Sequence, residues 1–179
     1  MTIPLCALSA FLFPVFSSAQ ISMDGIREAA RSYTESMEEE GLASQAIEKV
    51  RELAGSFGWR DQQQTRVVAE ALSSLNAGES LDALKHMERL EGLRLTSKQK
   101  TLFKEAKSLV DVYVLKEELE GSAPQGALTR TMELIQNGSY KEAVPELLLL
   151  KEQAQLSEEQ EAAMEDLIRQ YQEWSEEES

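Results

Sequence analysis

From about residue 20 onward, apolar side chains recur at three- and four-residue steps and rarely alternate. Between Thr101 and Lys116 the set is Leu102, Phe103, Ala106, Leu109, Val110 and Tyr113, one face of an α-helix. Ala, Leu, Glu, Gln and Lys dominate this part of the chain, and all are strong helix formers. The pattern predicts helices near 23–39, 42–55, 61–76, 80–91, 97–120, 127–136, 140–154 and 158–174. Gly121 to Gly126, with Ser122 and Pro124 inside it, reads as a linker. Pro145 falls within a predicted helix, where it removes a backbone donor and is expected to bend or unwind the chain.

The first 19 residues differ: they carry no charge, and Ile3 to Phe16 is apolar apart from Pro4, Ser9 and Pro14. Ser17-Ser18-Ala19 supplies the small residues that a signal peptidase accepts, so residues 1–19 read as a secretory signal cut before Gln20. The alternative is an uncleaved anchor, for which the run is shorter than the roughly 20 residues of a membrane span. Cleavage removes Cys6, the chain's single cysteine. It leaves residues 20–179 as one periplasmic or secreted domain with no stable membrane insertion, dependent on its core rather than on disulfides.

All the charge lies in that domain: 18 basic against 32 acidic residues, a net −14. Such a balance repels phosphate backbones, which argues against nucleic acid as a partner. Basic residues cluster between Lys85 and Lys107. Lys98, Lys104 and Lys107 fall at helical steps, where they would either receive an acidic partner or balance the molecule's own acids.

A spacing repeats. Gly41, Gly78 and Gly138 are each followed by alanine five residues on (Ala46, Ala83, Ala143) and an aliphatic residue six on (Ile47, Leu84, Val144). Large apolar residues follow nine and twelve on: Val50 and Leu53, Met87 and Leu90, Leu147 and Leu150. Each glycine is expected to end a helix, and each alanine to let two helices approach closely. Asp61 with Gln64, Thr96 with Gln99 and Ser157 with Gln160 have the spacing of capping boxes, with Leu95 and Leu156 placed to staple two of them.

Gly138-Ser139-Tyr140-Lys141-Glu142-Ala143-Val144 resembles the turn and second helix of a tetratricopeptide repeat. Gly78 to Leu84 keeps most of the same pattern and Gly41 to Ile47 part of it. The copies are 37 and 60 residues apart rather than a steady 34, and the closing proline of the repeat is missing. The resemblance implies an all-α, tetratricopeptide-like stack of antiparallel helix pairs. It also implies ligands along the first helix of each pair, here Val68, Leu72 and Leu75, then Leu128, Met132 and Ile135. The charged side chains of the family's carboxylate clamps are absent from these positions, which favours an apolar groove.

No catalytic constellation, metal-ligand spacing or phosphate loop is found, so neither enzymatic activity, a cofactor nor a metal is expected. His86 has Asp82 four residues before it as a possible orienting partner, but a lone surface histidine is the commoner case. Phe57-Gly58-Trp59 lies between helices, either to plug the array or to anchor a partner, and Trp174 either caps the last helix or stays exposed. The expected function is an exported scaffold or adaptor for a peptide or protein. The alternative is a structural subunit of a cell-envelope assembly.

Overall fold

A computed structural model describes residues 41–177. The signal segment, its cleavage site and the helix expected over 23–39 lie outside the described residues. Seven helices are present among the described residues: α1 over 41–55, α2 Gln62–Ala77, α3 Ser80–Glu91, α4 Ser97–Leu119, α5 Gln125–Gln136, α6 Tyr140–Gln153 and α7 Glu158–Glu177. No strand occurs among the described residues. From α2 to α7, each helix packs on the one that follows it, so the fold is all-helical with short turns. The expected linker is shorter than its composition suggested. Gly121 takes a positive φ of 79°, Pro124 stands at the N-cap and Gly126 is already helical.

The repeated spacing sets the core. Ala46, Ala83 and Ala143 are fully buried, as are Val50, Met87 and Leu147, and Leu53, Leu90 and Leu150. Four-residue and three-residue steps put these side chains on one face of α1, α3 and α6. Two of the three glycines act as expected. Gly78 (φ 74°) and Gly138 (φ 71°) end α2 and α5 in the left-handed region, which a residue without Cβ enters most readily. In both turns the glycine N–H donates to a carbonyl three residues back. The next N–H donates five back, Glu79 to Ser74 and Ser139 to Leu134, each at 2.9 Å. This doubled hydrogen bond is the Schellman motif. Gly41 departs from the expectation and is itself helical.

The capping boxes tie the helices together. Thr96 and Gln99 form a complete box, and the Gln99 amide also donates to the Ser56 carbonyl just past α1 (3.3 Å). Ser157 and Gln160 repeat the arrangement, with the Gln160 amide donating to the Glu118 carbonyl of α4 (3.2 Å). Thus α4 is pinned to the end of α1 as α7 is pinned to the end of α4. The third expected box does not form. Asp61 instead accepts from the Gly58 N–H (2.9 Å), and Gln64 donates to the Arg94 carbonyl (3.1 Å).

The last helix turns back onto earlier ones. From α7, Glu159 pairs with Lys85 of α3 (2.7 Å), while Gln170 and Trp174 donate to Glu91. Tyr171 reaches Asp111 of α4. Trp174 is therefore buried, edge-on to Phe103, Tyr140 and Tyr171. α6 continues through Pro145, which lies on its exposed side. Its missing N–H leaves the Lys141 carbonyl without the usual helical donor.

Candidate functional site

The residues expected to line an apolar groove are mostly inside the molecule. Val68 and Leu75 of α2, and Leu128 and Ile135 of α5, belong to the core. Leu72 and Met132 are half-buried against it. These helices spend their apolar stripes on their own neighbours.

Nor do the three lysines share an open face. Lys98 is exposed. Lys104 is half-buried, paired with Glu177 (2.8 Å) and lying over the Trp174 ring at 5.1 Å. Lys107 is 0% exposed and is bonded to Asp111, one turn further along α4. The other Asp111 oxygen accepts from the Tyr171 hydroxyl (2.7 Å), and the Tyr140 hydroxyl lies 3.1 Å from Ser108 Oγ. Burial pushes the Asp111 carboxyl above its usual range, against the pull of the Lys107 charge and the two hydrogen bonds. Burial also drives the Tyr171 hydroxyl well above its ordinary value, helped by the Asp111 charge, so it remains a donor. Every buried side-chain polar atom among the described residues has a hydrogen-bond partner. A half-open apolar cleft of about 20 Å³, room for about one water, lies between α3, α4 and α7 beside Asp111. This network is sealed from solvent and holds helices together. The sequence offered one clue to it: Lys107 and Asp111 stand one turn apart on the stripe that also carries Phe103, Ala106 and Val110.

His86 is not oriented by Asp82, which pairs with Lys85 (3.2 Å). Its Nδ1 lies 3.1 Å from Arg89 Nη1 and 3.5 Å from Glu70, which also binds Arg89 (3.0 Å). Among the described residues no group of three or more His, Cys, Asp or Glu side chains is gathered around a common point. No described helix is long and apolar enough to cross a membrane.

What remains is the surface. In the turn between α1 and α2, Phe57 packs against the core whereas Trp59 is 79% exposed. The Arg60 guanidinium lies over the Trp59 ring, 4.7 Å from its centre. Beside them Gln62, Thr65, Arg66 and Ala69 of α2 line a shallow, solvent-open groove. No family model, curated protein or solved structure matches this chain. A second exposed apolar feature, which the sequence reading passed over, is on α6: Leu148 is 44% exposed and Leu149 40%. The run Leu147 to Leu150 was its signal, because four consecutive positions of a helix cannot all face one core.

Proposed function

We propose that this chain is an exported, non-enzymatic scaffold or adaptor of tetratricopeptide-like type that binds a peptide or protein. The observation that carries the reading is the Trp59 turn. A large aromatic left in water, with an arginine stacked on it and a second arginine nearby in Arg66, has the composition of an interface anchor. Two cations beside an indole suit an acidic or aromatic peptide segment. The duplicated glycine turns at Gly78 and Gly138 support the repeat-type reading, and the apolar segment ahead of Ser17-Ser18-Ala19 supports export to the periplasm or beyond.

The other reading, a structural subunit of a cell-envelope assembly, draws its support from Leu148 and Leu149, since permanent interfaces are more apolar than transient ones. Affinity capture from envelope extract distinguishes the two, using the wild-type chain and Trp59→Ala side by side. The adaptor reading expects peptide or protein ligands that exchange and are lost with Trp59→Ala, while the unfolding midpoint stays unchanged. One stoichiometric, non-exchanging partner retained by Trp59→Ala would overturn it in favour of the subunit.

A further inference from the structure

The helix α6 is apolar on two opposite sides. Ala143, Leu147 and Leu150 face the core, while Pro145, Leu148 and Leu149 face water. A helix apolar all round is ordinarily buried on all sides. The outward residues belong to a longer stripe. Lys141, Pro145, Leu148 and Glu152 follow one another at steps of four, three and four, which keeps them on one face.

The two ends of that stripe carry opposite charge in the unfavourable sense. Lys141 sits in the first turn, near the positive end of the helix dipole, and Glu152 in the last, near the negative end. Both are exposed, and no ion pair of either is found among the described residues. Lys151, by contrast, points to α7 and pairs with Glu161 and Glu165. The stripe is thus self-complementary: turned end for end it presents a glutamate to a lysine and a lysine to a glutamate, with apolar side chains between.

From this we propose that α6 is a self-association surface, on which a second copy of the chain packs its own α6 antiparallel about a two-fold axis. With the axis between Glu146 and Leu147, Lys141 of each copy lies opposite Glu152 of the other, and Pro145 opposite Leu148. The paired helix dipoles then oppose, and each misplaced charge gains a partner. A single helix pair buries less than the ~1,200 Å² at which stable interfaces begin, so the dimer is weak and reversible. The net charge of −14 adds a repulsion that is screened at physiological salt, where the Debye length is about 8 Å.

Sedimentation equilibrium of the full chain at physiological salt, from micromolar to millimolar protein, tests this. A reversible monomer–dimer equilibrium is expected for the wild type and none for Leu148→Glu. Lys141→Glu, which sets glutamate against glutamate, should weaken dimerisation by about tenfold or more. Adding Glu152→Lys should restore it to within about threefold. A wild type that stays monomeric throughout, whether or not it captures some other protein, overturns the proposal. So does a dimer indifferent to Leu148→Glu, or a double charge reversal as weak as Lys141→Glu alone. All three positions are exposed, and thermal melting of each variant confirms that it is folded; if Leu148→Glu is not, the charge reversals decide the matter.

Discussion

The helices α3 and α6 begin from the same turn, Gly78 and Gly138 with matching hydrogen bonds, and bury apolar residues at the same places, five, nine and twelve positions on. Their other sides have opposite characters. On α3, Lys85 pairs with Glu159, Glu88 lies beside Asp166, and Glu91 accepts from Gln170 and Trp174, because α7 lies across them. Sixty residues later the matching positions on α6 are Pro145, Leu148 and Lys151. The polar positions of α3 are thus tied to α7 by ion pairs and hydrogen bonds, whereas Pro145 and Leu148 of α6 stand exposed. A repeated motif therefore specifies the inward face and leaves the outward face to its surroundings. On α3 the partner is an acidic helix of the same chain, and polar groups serve. On α6, leucines stand where no helix of the described chain covers them.

Burial within α4 shows the same dependence on position most strongly. The run Val110 to Lys116 is buried without interruption, because α4 lies in the middle of the chain's helices, and its ionic pair is enclosed with it. Asp111→Ala would strand the Lys107 ammonium in that interior, and the expected loss is about 3–5 kcal/mol, the largest effect foreseen for this molecule. Replacing Lys107 and Asp111 together by methionine and leucine should recover most of it, since the desolvation of both charges disappears. Chemical denaturation of the three proteins gives the values. A single variant as stable as the wild type would mean that water reaches Lys107.

Next in size are the two alanines that define the shared inward face. Ala83→Leu and Ala143→Leu each add volume at a fully buried position, and each should destabilise by about 1–3 kcal/mol. Equal losses in urea midpoints would show that the two inward faces are packed alike despite their different outer sides. A much smaller loss for Ala143→Leu would show that the uncovered helix α6 shifts to make room, which would break the equivalence.

That inward face was legible in the chain because it rests on local chemistry: a glycine that permits a left-handed turn, and a period that fixes which side chains share a face. The bounds of α3 follow from it directly. The capping boxes at Thr96 and Ser157 were legible for the same reason, whereas Asp61 was drawn instead to the Gly58 N–H, a competing local donor. The return of α7 onto α3 and α4 depends on contacts across 42 to 83 residues, such as Lys85 with Glu159, for which periodicity holds no signal. For that reason Lys107 looked like part of a basic surface and Val68, Leu75, Leu128 and Ile135 like groove residues. Lys107 is enclosed with α7 and its Tyr171, and the four apolar residues lie on faces that adjacent helices close. Trp59 and the α6 leucines are the reverse, apolar residues that non-local packing leaves in water.

The smallest effect concerns the side of α3 that faces α7. Burial raises the Glu88 carboxyl above its usual range; the Lys107 charge opposes the shift, while Asp166, Asp111 and Glu91 add to it. A carboxyl whose pKa is higher folded than unfolded favours the folded state while protonated. That contribution is complete below the unfolded pKa of about 4.3 and is lost as pH rises through the folded value. Acidification from neutral pH toward pH 5 should therefore stabilise the protein through Glu88. Glu165 and Glu177, whose pKa values are lowered by Lys151 and Lys104, act the other way, but both are solvent-exposed and contribute little. In Glu88→Gln the gain between pH 7 and pH 5 should shrink without vanishing, by well under the ~1.4 kcal/mol that one pKa unit represents. Urea midpoints at the two pH values for wild type and variant provide the measurement. Leu148→Gln at the matching position of α6 removes no titrating group and should leave the pH dependence as it is. If Glu88→Gln likewise changed nothing, the cover of α7 over α3 would be too loose to desolvate a carboxylate, and the contrast between the two helices would narrow to their composition alone.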